Sequence, residues 1–123
     1  MRELVADDGA DRAVNFGGSG AVIGHELTHG FDDQGRQFDA RGNLKDWWTA
    51  ADAKAFVDRT QCFADEYAQF TAVDEVKVNG KLTLGENVAD NGGLRLSLMA
   101  YLATTSAEGP KPCLLYTSDA ADE

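Results

Sequence analysis

The chain contains only two histidines, His25 and His29, four residues apart, with Glu26 directly after the first. On a helix, positions i and i+4 share one face, so both imidazoles can reach one ion. Glu26 then lies about 100° further round the axis, where its carboxylate can contact an ion-bound water rather than the ion. A zinc hydrolase uses this arrangement. The residues around the motif (Ile23, Gly24, Leu27, Gly30) are small or apolar, which suits a buried active-site helix better than a solvated one. Taken alone, the motif also reads as two imidazoles on an exposed helical face with no metal.

Two histidines leave a catalytic zinc one protein ligand short, because such sites use three protein ligands and a water. Glu86 and Asp90, again four apart, meet the need. Glu86 can complete the ligand set. Asp90, one turn on, can accept the second ring N–H of a ligand histidine and set its tautomer. By themselves these two carboxylates read as a solvated pair near a helix N-terminus, where the macrodipole favours them. With His-Glu-x-x-His in the same chain, the ligand reading is the stronger one.

The elements that must position these groups follow from spacing and punctuation. Residues 1–15 read as a polar loop, and Ala21, Val22, Leu27 and Phe31 predict a helix over about 18–31. The glycine-punctuated stretch 32–48 reads as a loop with one short strand pair around Phe38 and Leu44. There Trp47 and Trp48 anchor the loop to the core. Thr49 and Asp52 form a capping box for a helix over about 50–70, with an apolar stripe including Phe56, Phe63, Tyr67 and Phe70. Asn79-Gly80 within 73–84 predicts a hairpin turn. Thr83, with Glu86 three residues on, caps a last helix over about 84–103, which carries Leu94, Leu98 and Tyr101. Gly92-Gly93 weakens its middle by roughly 1 kcal/mol per glycine.

The 123 residues suffice for one domain. The apolar fraction of 43% and charged fraction of 26% are those of a globular chain. A net charge of −10 argues against nucleic acid as a partner and favours cations. No apolar run approaches the roughly 20 residues needed to span a bilayer. The polar N-terminus lacks the apolar segment of a signal peptide. The two cysteines, Cys62 and Cys113, make neither a disulfide scaffold nor a zinc ribbon. Asp39 and Asp46 lack the spacing of a calcium loop.

GAVIGHELTHGFDDQGRQFDARGNLKDWWT, followed by VNGKLTLGENVADNGGL, resembles the neprilysin and endothelin-converting-enzyme family of zinc endopeptidases in a bacterial-type version. The likeness runs over about residues 12–103. It implies part of a thermolysin-like gluzincin catalytic domain, here mainly α with a small β-hairpin. It implies one Zn2+ held by His25, His29 and Glu86, with Glu26 and Asp90 as the catalytic groups: Glu26 the general base, Asp90 supporting a ligand histidine. Asp32 is a further candidate for such support. Cys62 matches a position that forms a disulfide in animal members, its partner lying upstream of this chain. The family's upstream Asn-Ala motif and N-terminal lobe have no counterpart here, nor do its downstream histidine and arginine. Residues 1–112 are therefore expected to be a partial catalytic domain. The last eleven residues, CLLYTSDAADE (113–123), resemble a translated sequencing adapter and are read as non-native.

The resulting expectation is a zinc-dependent endopeptidase acting on short to medium peptides, the isolated piece lacking turnover for want of the remaining lobes. Two rivals stand beside it: a zinc-binding module without turnover, and a structural helical domain without metal. The location of the parent is left open among periplasmic, secreted and membrane-anchored.

Overall fold

The computed structural model describes residue 6 and residues 9–108. Cys113 and the 113–123 segment lie outside the described residues. Helix begins earlier than the sequence pattern indicates. Asp11 accepts the Ala13 N–H at 2.8 Å, so residues 12–15, expected as loop, form a first helical turn, α1 (Arg12–Asn15). A π-helical turn, Phe16–Gly20, joins α1 to α2 (Ala21–His29), the helix that carries both histidines. Gly30 ends α2, and Gly35–Gln37 form one 3₁₀ turn in the loop that follows. The expected short pairing of Phe38 with Leu44 is present as an isolated antiparallel bridge.

The capping box at Thr49 and Asp52 forms as expected, each side chain bonding the other residue's backbone N–H, and starts α3 (Ala50–Tyr67). Edge-on aromatic contacts tie the preceding loop to this helix on one side and to the turn after α2 on the other. Trp48 meets Phe56 at 5.1 Å between ring centroids, and Trp47 meets Phe31 at 5.8 Å. Arg36 lies over the Trp48 ring and pairs with Asp46 at 3.0 Å.

The hairpin is displaced from its predicted turn. Its strands are β1 (Thr71–Val73) and β2 (Val76–Lys77), paired antiparallel with Thr71 opposite Lys77 and Val73 opposite Val76. The turn is Asp74-Glu75, with Asp74 at φ 51°, a left-handed conformation that aspartate tolerates. Asn79-Gly80 instead leads into the last helix, α4 (Leu84–Glu108). The Asn79 side chain accepts the Leu82 N–H at 3.1 Å, and its carbonyl accepts the Thr83 N–H at 3.0 Å. Gly80 is buried against α3, where any Cβ would strike the Ala64 carbonyl. The expected Thr83–Glu86 box is replaced as well. The Thr83 hydroxyl donates to the Asn79 carbonyl and accepts from the Asn87 amide, leaving Glu86 to point elsewhere.

Helices α2 and α4 make the principal contact of the fold. They meet backbone to backbone. A Cβ on Gly24 would stand 2.7 Å from the Gly93 carbonyl oxygen, and one on Gly93 would fall on the His25 amide nitrogen. A Cβ on Gly92 would meet the Thr28 side chain at 2.8 Å. The glycine pair that weakens α4 as an isolated helix is what lets α2 lie against it. Among the described residues the buried hydrophobic side chains are only Ala64 and Ala89, whereas Phe31, Phe70, Leu94 and Leu98 are more than half exposed. No helix among the described residues is long and apolar enough to cross a membrane.

The crossing predicts a contrast between two alanine substitutions. Gly93→Ala should cost about 1–3 kcal/mol or more through overpacking against a backbone that cannot yield. Gly17→Ala, with nothing within 4 Å of its Cβ position, should be neutral or stabilise by up to about 1 kcal/mol. Urea unfolding followed by circular dichroism compares the two midpoints; equal midpoints would contradict the close crossing.

Candidate metal centre

Two helices bring together the residues singled out by spacing. On α2 the His25 and His29 rings stand edge to face, centroids 4.5 Å apart, with their Nε2 atoms 2.9 Å from each other. From the first turn of α4, Glu86 places Oε2 3.4 Å from His25 Nε2 and 3.6 Å from His29 Nε2. His25, His29 and Glu86 each offer a ligand atom within 4.8 Å of the others, so they form a group able to hold a metal ion.

Each outer ring nitrogen has a carboxylate partner. His25 Nδ1 lies 2.8 Å from Asp90 Oδ1, and His29 Nδ1 lies 2.6 Å from Asp32 Oδ2. Asp32 comes from the turn after α2 and is only 3% exposed. Its other oxygen accepts the N–H groups of Gln34 at 2.8 Å and Gly35 at 2.6 Å. Burial alone would push the Asp32 carboxyl up, but the bonds from Gly35, His29 and Gln34 hold it below the usual range. On His29 the hydrogen bond to Asp32 raises the pKa. Desolvation opposes this, and the charges of Glu86, Asp32 and Glu26 reinforce it.

This network determines the chemistry of the donor set. An ionised carboxylate only accepts, so each Nδ1 carries its hydrogen and each Nε2 presents a lone pair. Two imidazole nitrogens and a carboxylate oxygen therefore converge on one spot. A single proton can bridge one pair of these atoms; a cation engages all three at once. Two imidazoles and one carboxylate, each imidazole backed by a carboxylate, match the donor set of a catalytic zinc site.

Glu26 is exposed on α2 and, with Ala21, Val22, His25 and Asp90, lines a cavity of about 270 Å³ beside the metal-binding group. A second, more apolar hollow of about 750 Å³ lies on the His29 side, lined by Phe31, Phe38 and Trp47. Cys62 is exposed, a free thiol among the described residues.

All five residues proposed from spacing thus lie at one place, together with Asp32. The small residues that seat the helices were not read as part of the site. Their signal lies in the spacing: Gly20 and Gly24 on one segment, Gly93 and Ser97 on the other, each pair four apart.

The chain is similar to known proteins in sequence and in fold. The sequence model of peptidase family M13 matches residues 5–116. An endothelin-converting enzyme homolog of Locusta migratoria is 55% identical over 96 residues, covering 78% of this chain and 13% of the relative. Neprilysin-1 of Caenorhabditis elegans is 52% identical over 99 residues, covering 80% and 13%. The crystal structure of Mycobacterium tuberculosis zinc metalloprotease ZMP1 with an inhibitor superposes at TM-score 0.80 and 42% identity, covering 91% of this chain and 18% of that one. The chain thus spans about an eighth of the length of the curated relatives it matches, and its helical fold with one hairpin is consistent with the gluzincin architecture. The family model, which covers most of the chain, and these likenesses show that the chain belongs to peptidase family M13.

Proposed function

We propose that this chain carries the metal centre of a zinc-dependent endopeptidase, with His25, His29 and Glu86 holding one zinc ion and Glu26 acting as general base. The observation that carries the reading is the convergence of three electron-pair donors whose orientation is already set by Asp32 and Asp90. Zinc, when bound there, supplies Lewis-acid polarisation of a water and of a peptide carbonyl. Glu26, on the same helix and lining the adjoining cavity, would be the carboxylate that accepts a proton from water and passes it to the leaving amine. Asp32 and Asp90 keep both Nδ1–H bonds in place, so the Nε2 lone pairs stay directed at the ligand position. The substrates of the whole protein would be peptides, in keeping with a peptidase family, and on this reading peptides of short to medium length.

Three measurements test this. Zinc titration against a chromophoric chelator should give one ion per chain. His29→Ala should abolish tight binding, because two protein ligands rarely retain zinc, and Asp90→Ala should weaken it by roughly 10–100-fold. Stoichiometric zinc in His29→Ala would remove that ligand assignment.

In the full-length protein, Glu26→Gln should keep zinc and lose on the order of 10²–10⁴ in kcat on a quenched fluorogenic peptide. Zinc binding without turnover in the unaltered full-length protein would favour a binding module instead.

The third measurement concerns pH in the metal-free chain. Asp32 has a lowered pKa, so its contribution to stability is present above the ordinary value of 3.8 and is lost as pH falls through its folded value. His29 has a raised pKa, so its contribution is full below 6.5 and is lost as pH rises through its folded value. The stability difference between the metal-free chain and its Asp32→Asn variant should therefore be greatest between pH 3.8 and 6.5 and shrink on both sides. A pH-independent difference in urea midpoint would show that the pair is not ionic.

A further inference from the structure

The helix that bears both histidines is held at its amino end as well as at the metal-binding group. Directly before it, Phe16–Gly20 is π-helical, and the Ala21 N–H reaches back to the carbonyls of Gly18 and Phe16. Wide turns of this kind carry an extra residue and shift the rotation of everything beyond them. They are less favourable than regular helix and persist only where the surroundings hold them.

Here the surroundings are α4. Ser97 is buried, 5% exposed, and its hydroxyl donates to the Phe16 carbonyl, 81 residues away in sequence. A Cβ on Gly20 would stand 2.5 Å from Ser97 Oγ, so α4 presses against the wide turn itself. One turn further along α4, the Tyr101 ring packs on the Phe16 ring with centroids 5.7 Å apart. Glu86, Asp90, Gly93, Ser97 and Tyr101 follow one another at spacings of three or four and so share one face of α4. The first two face the histidines, Gly93 meets Gly24, and the last two hold Phe16.

Building on the metal-centre reading above, we infer that Ser97 is a positioning residue for the metal ligands: its hydroxyl clamps the π-helical turn Phe16–Gly20 onto α4 and so sets the rotation of His25 and His29 toward Glu86. With the turn released, α2 can rotate about the Gly24–Gly93 contact. The two Nε2 atoms would then leave the Glu86 carboxylate although every ligand is still present. Ser97 touches neither metal nor substrate; it acts through the backbone of Phe16.

The test compares zinc affinity in three chains of full length: unaltered, Ser97→Ala and Thr60→Ala. Ser97→Ala removes one oxygen and keeps the small side chain the crossing requires, so the variant retains its fold. Thr60 is the control. It is equally buried at 6% exposure and its hydroxyl donates to the Phe56 carbonyl at 2.9 Å, but on α3, away from the histidine helix. With helix content matched by circular dichroism, Ser97→Ala should bind zinc about three- to tenfold more weakly, the loss expected for one hydrogen bond. Thr60→Ala should stay within about twofold of the unaltered chain, although it loses comparable stability. Ser97→Ala binding zinc as tightly as the unaltered chain would overturn the clamp, as would an equal loss in Thr60→Ala. An unaltered chain that binds no zinc would instead overturn the metal-centre reading, a result separable from the first two.

Discussion

The contact between Gly24 of α2 and Gly93 of α4 governs the geometry of the site. Side chains at an ordinary helix crossing keep the axes about 8–10 Å apart; two facing glycines let the backbones touch. Only at this closeness does a side chain as short as Asp90 reach His25 Nδ1 at 2.8 Å. The longer Glu86, one turn nearer the start of α4, then spans to both Nε2 atoms. Adding one methyl group at the crossing would separate the helices by more than the tolerance of a hydrogen bond. The local helix-weakening effect of Gly92-Gly93 is thus offset by what the tertiary contact gains.

The second constraint is electrostatic. Glu26, Asp32, Glu86 and Asp90 surround two imidazoles in a chain whose net charge is already −10. Like charges at such separations repel, and a single imidazole proton at the centre bridges only one pair of the atoms that meet there. A polar network with one unmet requirement is costly unless a ligand meets it. A divalent cation would do so, and its binding free energy would then add to the stability of the fold. The carboxylates also differ in setting. Asp32 is buried and held by two backbone N–H groups, whereas Asp90 and Glu86 are exposed on α4. His29 is therefore seated by the turn that follows its own helix, and His25 by a residue 65 positions away. One ligand is organised locally and the other only when the two helices meet.

The distribution of apolar side chains fits this picture of a site held by close helix contact rather than by a large core. Ala64 and Ala89 are the buried hydrophobic residues among those described, and both are small. The large ones, including Phe31, Trp47, Leu94, Leu98 and Leu102, stand on outward faces. The relatives are several times longer than this chain, which spans 13% of the two curated relatives compared above. Surfaces of this kind are normally covered by other parts of a protein. The metal-binding group needs none of that surface for its own geometry, because its members lie on α2, on α4 and in the turn directly after α2.

Much of the site was legible in the residues themselves. His25 and His29 at i and i+4 must share a helix face, and Glu86 and Asp90 repeat the spacing, so two half-sites followed from helix geometry alone. The capping box at Thr49 and the existence and order of the three long helices were legible for the same reason, since they depend on neighbours three or four residues apart. Longer-range relations were not legible. Asn79-Gly80 carries a hairpin signal, yet the turn fell at Asp74-Glu75, because Gly80 was needed against Ala64 and Asp74 could take the left-handed conformation. Thr83 and Glu86 match a capping box, but the convergence of α4 on α2 drew Glu86 to the histidines and left the Thr83 hydroxyl to Asn79 and Asn87. The wide turn at Phe16–Gly20 has no periodic signature, and it depends on Ser97, 81 residues distant. Local spacing determined which side chains share a face; the backbone contact between two helices far apart in sequence decided which faces meet, because only folding shows where a missing Cβ leaves room.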